Sequence, residues 1–236
     1  MARFLLVPGA WHGAWCWSRL TPLLQQAGHE VVTPDLAAPP PGANPLPIWA
    51  QQIAALVQAA PEPVILLGHS RGGMVISEAA TRAPDKIRTL VYLSAFLLPA
   101  GESLQSAMAW PEAGGAPDYL RPARGRCLSI APDAIIPRFY HLAPLALAQE
   151  AAARLHPEPM GTFAAAATIH PDQISPSRRI YVECSADRVI PLPLQRAMQA
   201  KLPCATVLTL PSDHSPFICL PDQLADHLNR IAATPS

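Results

Sequence analysis

The sequence predicts an α/β protein: a mostly parallel central sheet of about six strands, helices on both faces, and an inserted helical cap. Three observations predict it. Short apolar, β-branched runs alternate with segments of helical spacing. The runs are apolar throughout rather than at every second residue, as a sheet covered on both faces requires. The alternation stops near Pro99 and resumes near Arg179, which marks an insertion rather than a second domain.

Taken in order, residues 4–7 read as the first strand, broken by the turn chemistry of Pro8-Gly9-Ala10-Trp11-His12-Gly13. Residues 15–27 read as a helix that Gly28 closes. A second short strand spans 30–33. The run from Pro39 to Pro45 reads as exposed loop, because five of its residues are proline or glycine. Helix 48–60, strand 64–67, helix 72–82 and strand 87–93 follow. Residues 99–175 are rich in Ala and Pro, with helices near 132–141 and 145–155 and no clear strand. Then come strand 179–184, helix 192–201, strand 205–210 and helix 221–233. The expected organisation is one core, residues 1–98 and 176–236, with 99–175 inserted as a cap. Long insertions in compact domains usually serve function.

Bulk properties narrow the partner. Of 236 residues, 50% are hydrophobic and 14% charged, and the formal net charge is zero. That excludes an electrostatic search for nucleic acid or an anionic membrane and favours a small neutral molecule. The 29 prolines are spread along the chain, so they punctuate a fold. The five cysteines are odd in number and lack a CxxC pair, which fits reduced thiols in a cytoplasmic protein. Neither a signal peptide nor a membrane span is expected. No HExxH or paired CxxC points to a metal, and no phosphate loop is present, so no cofactor is expected. Oligomeric state is not encoded in any pattern here.

The chemistry concentrates at Gly68-His69-Ser70-Arg71-Gly72-Gly73. Gly-x-Ser-x-Gly after a buried strand and before a helix is the pattern of a nucleophile elbow. A serine alone is a weak nucleophile and needs a base, and the base needs an orienting acid. In such a sheet these come after later strands, in the order Ser, Asp, His. Asp187 and His214 each follow a late strand and take those roles. Asp213 adjoins His214 too closely for the ring contact, Asp35 precedes Ser70, and Glu183 lies within a strand. His69 reads as packing beneath the elbow, and His29, His156, His170 and His227 as surface or capping residues. An oxyanion hole needs two N–H donors. Arg71, after the nucleophile, supplies one and Ala10, in the first loop, the other. The Arg71 side chain reads as a surface or ion-paired residue.

With these residues in hand, the chain resembles the α/β-hydrolase superfamily. The run Leu6-Val7-Pro8-Gly9-Ala10-Trp11-His12-Gly13-Ala14-Trp15-Cys16-Trp17, the GHSxGG elbow and the run Asp213 to Phe217 are similar to the branch of plant methylesterases, plant hydroxynitrile lyases and bacterial esterases. The resemblance implies a Ser-Asp-His triad, an apolar pocket under a helical cap, and no cofactor. The plant lyases carry Thr where this chain has Gly9 and Lys where it has Ser215, which favours the esterase side. The family's His-Gly in the oxyanion loop is Pro8-Gly9 here. Proline removes a donor, so that loop must be braced differently.

The expected function is therefore a serine hydrolase of a small apolar carboxylic ester, acting through an acyl-enzyme. The rivals are a lyase-like reaction at the same triad and a low-turnover binding protein. Gly9, Trp11, His12, Trp110, Phe139 and Tyr140 are the candidate substrate contacts, and Met108, Tyr119, Met160 and Phe163 further candidate pocket walls; the alternatives are a structural hydrogen bond within the first loop for His12, core packing for Trp11, and packing between cap and core for the cap residues.

Overall fold

The computed structural model describes residues 1–40, 42–168, 174–175 and 178–234. The central sheet has six strands: β1 (Arg3–Val7), β2 (Glu30–Val32), β3 (Val64–His69) and β4 (Ile87–Leu93), then β8 (Arg179–Cys184) and β9 (Thr206–Leu210) after an insertion that holds three more. The strands run β2-β1-β3-β4-β8-β9 across the sheet, and every pairing is parallel. β3 lies in the middle and is buried along its whole length, which explains the unbroken apolar run of Val64 to Leu67.

The helices are α1 (Leu20–Gln26), α2 (Pro45–Gln58) and α3 (Gly72–Arg82), then α8 (Leu192–Lys201), α9 (Pro216–Cys219) and α10 (Pro221–Ala233), with α4 to α7 in the insertion. Parallel crossovers are right-handed. The step from β1 to β2 goes one way across the sheet and the later steps go the other, so α1 lies on the opposite face from α2, α3 and α8. The packing agrees: α2 lies against α3, and α1 against α10.

Local chemistry moved several boundaries. The helix expected over 15–27 is a 3-10 turn, Ala14–Trp17, followed by α1; Gly28 does close it, at φ +84°. α2 starts at Pro45, inside the stretch expected to be loop, because Asn44 Oδ1 accepts from Leu46 N at 3.0 Å and proline suits the first helical position. Pro41 in that loop and His170 lie outside the described residues. α3, β4, β8, α8 and α10 span the expected residues.

The insertion carries α4 (Leu104–Ala107), α5 (Pro132–Phe139), α6 (Leu145–Ala153) and α7 (Gly161–Ala164). It also carries strands, which corrects the expectation of a segment without them. β5 (Leu120–Ala123), β6 (Cys127–Ile130) and β7 (Glu158–Pro159) form an antiparallel sheet. Pro122 and Pro159 mask these strands in the sequence, since proline is confined to sheet edges; both sit on the outer strands. One end of the insertion is fixed to α3: the Glu78 carboxylate accepts from Thr168 N at 2.7 Å and from its hydroxyl.

Candidate active site

The elbow forms because three glycines leave no room for a side chain. A Cβ at Gly68 would lie 2.5 Å from Gly72 O, one at Gly72 would lie 2.8 Å from Val7 O, and one at Gly73 would lie 2.4 Å from Phe96 O. Ser70 between them has φ +52°. A non-glycine residue in that region is strained by about 1–3 kcal/mol and persists only where its surroundings enforce it. Trp11 (φ +64°) and Ser94 (φ +38°), at the carboxyl ends of β1 and β4, share the left-handed backbone. Three of the four non-glycine residues with positive φ among the described residues thus lie at one edge of the sheet; the fourth, Arg126, is in the insertion.

Asp187 and His214 meet at that edge. His214 Nδ1 lies 2.6 Å from Asp187 Oδ2, with both side chains buried. The other carboxylate oxygen accepts from Val189 N at 2.6 Å and Ile190 N at 2.9 Å. The ring nitrogen facing a carboxylate carries its proton, so Nε2 is left with its lone pair. The elbow joins this couple through His69, whose Nε2–H donates to His214 O at 2.8 Å. The His69 ring is wholly buried among Trp17, Phe217 and His214, and burial holds its pKa well below the ordinary value. His69 ties the loop that bears Ser70 to the loop that bears His214 instead of merely packing beneath the elbow.

Asp213 and the other acids serve elsewhere. Asp213 accepts from Leu142 N at 2.8 Å and Ser215 N at 2.9 Å. Asp35 accepts from Ala14 N at 2.6 Å. Glu183 binds Arg196, Gln199 and Thr209.

The first loop lies against the elbow: a Cβ at Gly9 would stand 2.9 Å from Ser70 Cβ. Among the described residues, neither Ala10 N–H nor Arg71 N–H donates within the protein. The bracing that Pro8 cannot supply comes from three side chains. Arg71 Nη2 donates to Gly9 O at 3.0 Å, His12 Nδ1–H donates to Ala10 O at 2.8 Å, and Glu158 Oε2 accepts from Trp11 N at 3.2 Å. Arg71 is therefore not a surface residue. It is buried, 3.2 Å from Glu158 Oε1, and lies 4.3 Å from the centre of the Trp49 ring.

His12 sits within this brace. Tyr140 OH donates to its Nε2 at 2.7 Å, so both ring nitrogens are committed. Burial lowers its pKa to about 3, and it is neutral at ordinary pH. His12 and Tyr140 thus satisfy each other and present no free polar tip. Phe139 packs edge-on against His214 with centroids 5.4 Å apart and against Trp11 at 5.7 Å. Phe163 flanks Trp11 and Tyr119 flanks Phe139, each as part of a buried aromatic cluster. Trp110 stands apart, with Lys201 Nζ 4.7 Å from its ring centre. Met160 is exposed and lines a cavity of about 570 Å³ with Trp15, Trp49 and Arg71; Ser70 and His214 do not line it. Ser70 is 5% exposed and His214 1%.

Two residues have no sequence motif to announce them. Ser94 Oγ donates to Asp187 Oδ2 at 2.5 Å, and its place at the carboxyl end of a parallel strand was the available signal. Glu158 stands between two prolines in the insertion, and nothing in its local sequence connects it to residue 71. The five cysteines are free, and among the described residues no group of His, Cys, Asp and Glu could hold a metal.

Comparison with known proteins gives the same frame. Residues 4–227 match the model of the alpha/beta hydrolase family. Methylesterase 1 of Arabidopsis thaliana is 28% identical over 98% of this chain and 95% of its own. The alpha-hydroxynitrile lyase of the same plant is 32% identical over 98% and 96%. The crystal structure of a pyrethroid hydrolase from Sphingobium faniae JZ-2 superposes with a TM-score of 0.82 at 27% identity, covering 99% of this chain and 98% of that one. With an elbow serine in left-handed backbone, a buried Asp–His couple and this breadth of match, the chain belongs to the alpha/beta hydrolase family, in the branch of methylesterases, hydroxynitrile lyases and bacterial esterases.

Proposed function

We propose that this chain is a carboxylic ester hydrolase that works through a Ser70–His214–Asp187 triad on small esters with an apolar acyl or alcohol part. The observation that carries the reading is the buried Asp187–His214 couple, bonded through His69 to the loop that bears Ser70. Methylesterase and pyrethroid hydrolase relatives support ester hydrolysis, and the aromatic cluster of Trp11, Phe139 and Phe163 supports an apolar substrate.

Ser70 Oγ attacks the ester carbonyl carbon as its proton passes to His214 Nε2. Asp187 holds the ring and stabilises the imidazolium. The oxyanion that forms is bound by Ala10 N–H and Arg71 N–H, and the acyl-enzyme follows as His214 returns the proton to the departing alkoxide, releasing an alcohol. Water then attacks the acyl carbon, His214 accepts its proton, and the second tetrahedral intermediate releases the acid and restores Ser70. Ser70 is nearly buried, and in this reading the insertion, with Phe139, gives way as substrate arrives.

A lyase reading has a relative behind it, but this chain lacks the polar groups that the resemblance to plant lyases implies for cyanohydrin chemistry. Gly9 and Ser215 stand where the lyases hold Thr and Lys, and a Cβ at Gly9 would meet His69 Nδ1 at 2.7 Å. Fluorophosphonate labelling with a p-nitrophenyl acetate assay tests the reading. The wild type is expected to label at Ser70 and to turn over, and Ser70→Ala to lose about 10⁶ in kcat, the scale of a triad knockout. A folded protein that stays unlabelled would end it.

A further inference from the structure

We propose that the Arg71 guanidinium, held by Glu158 of the insertion, aims the Ala10 N–H donor of the oxyanion hole, so that the hole is complete only when the insertion is closed. This rests on the ester-hydrolase reading above. Two consecutive peptide planes carry the argument. In a trans peptide, C=O and N–H point in opposite directions, so fixing one fixes the other. The Gly9–Ala10 plane has its oxygen on Arg71 Nη2 at 3.0 Å, which turns its N–H away from the guanidinium. The Ala10–Trp11 plane is held at both ends, its oxygen by His12 Nδ1–H and its N–H by Glu158 Oε2. Of the four polar groups on these planes, Ala10 N–H alone is left without a partner among the described residues. Arg71 thus supplies one donor with its own backbone and orients the second with its side chain.

Glu158 makes the arrangement depend on the insertion. Its carboxylate, 1% exposed, lies 3.2 Å from Arg71 Nε and accepts from Thr162 Oγ1 at 2.9 Å as well as from Trp11 N. The same stretch reaches the loop with backbone: His156 N donates to Trp11 O at 3.1 Å, and His156 Nε2–H donates to His12 O at 3.1 Å. Motion that admits substrate must loosen these contacts or carry the loop with it. Closure over substrate restores them, which places the donors when charge develops. Arg71 and Glu158 act through Ala10 and are positioning residues.

The test removes the pair without stranding a charge. The double variant Arg71→Met/Glu158→Gln is neutral in place of neutral, and Arg71→Lys keeps the charge while losing the fork. Steady-state kinetics on p-nitrophenyl acetate are read beside inhibition by a trifluoromethyl ketone, whose hemiketal carries the oxyanion. A misaimed donor costs less than a deleted one, which loses about a hundred- to a thousandfold. The expected result for the double variant is a fall in kcat of about 10- to 100-fold, KM within about threefold, and ketone affinity weakened by the same factor as kcat/KM. Arg71→Lys is expected to fall between wild type and the double variant, and it decides the matter alone if the double variant does not fold. Wild-type kcat in either folded variant, or a loss confined to KM, overturns the inference while Ser70 labelling by fluorophosphonate leaves the hydrolase reading standing. An unlabelled wild type overturns both.

Discussion

Ser94 and His214 meet on a single atom: both hydrogen-bond to Asp187 Oδ2, the hydroxyl at 2.5 Å and the imidazole at 2.6 Å. Ser94 is fully buried, and the turn that holds it is fixed by Tyr181, whose hydroxyl donates to Ala95 O and accepts from Ala95 N. Removing the Ser94 hydroxyl takes one charge-assisted donor from a buried carboxylate. Ser94→Ala is expected to lower stability by about 1.5–3 kcal/mol, read from urea denaturation, with kcat reduced less than about tenfold. An unchanged denaturation midpoint would contradict the assignment.

Asp187 holds the ring through Nδ1–H, and an amide in its place can offer that nitrogen an N–H donor instead of an acceptor. Asp187→Asn is expected to leave the fold intact and to cut kcat by about 10⁴ through the wrong tautomer, with little change in KM. A variant within tenfold of wild type would move the acid role elsewhere, and Asp213, bonded to Leu142 N and Ser215 N, offers no ready substitute.

Adding the lyase side chains is not expected to produce a lyase. A Cβ at Gly9 falls 2.7 Å from His69 Nδ1 and 2.9 Å from Ser70 Cβ, and Ser215 is fully buried, so a lysine there would bring an ammonium into the interior. Gly9→Ala is expected to cost about 1–3 kcal/mol by overpacking and to depress esterase activity. Gly9→Thr with Ser215→Lys should show no cyanohydrin cleavage; turnover of mandelonitrile by that variant would show that the site adapts more freely than its packing implies.

Acid should destabilise the protein through its buried imidazoles. His12 has its pKa lowered to about 3 by burial, against an ordinary value of 6.5. Between those values the unfolded chain takes up a proton that the folded chain refuses. The stability tied to His12 is therefore complete above about pH 6.5 and is lost as pH falls toward 3, at about 1.4 kcal/mol per pH unit. His69 shifts in the same direction. Carboxylates add their own acid dependence, so the measurement is a difference: His12→Gln is expected to flatten the slope of unfolding free energy between pH 5.5 and 4 by up to that amount. Identical slopes would mean that His12 is protonated in the folded state.

The sheet and the elbow were legible because their physics is local. A strand buried on both faces must be apolar at every residue, and the turn at Ser70 admits only glycine at 68, 72 and 73. Asp187 and His214 were legible by position, each just past a strand at the sheet's carboxyl edge. What escaped depends on distant partners. Arg71 read as either a surface or an ion-paired residue, and the choice was not legible because Glu158, its counter-charge, lies 87 positions away in the chain. The bond of His12 to Ala10 O is local and legible as a loop hydrogen bond, but the hydroxyl on its other ring nitrogen, Tyr140 OH, lies 128 positions on. The strands of the insertion escaped because Pro122 and Pro159 fit a strand only at an outer edge, and the sequence does not say which strand is outermost.

Pro8 leaves the first loop without one of its own amide donors; besides Arg71 and His12, the insertion holds that loop at Trp11, with Glu158 accepting from Trp11 N, His156 N donating to Trp11 O, and Leu128 O accepting from the indole N–H at 2.9 Å. The insertion thus packs aromatic side chains against the site and holds the first loop at the same time. Grafting a relative's segment in place of residues 99–175 to change substrate preference would import new side chains against the site and discard the support. A functional chimera needs residues 8, 71 and 158 to travel as a matched set.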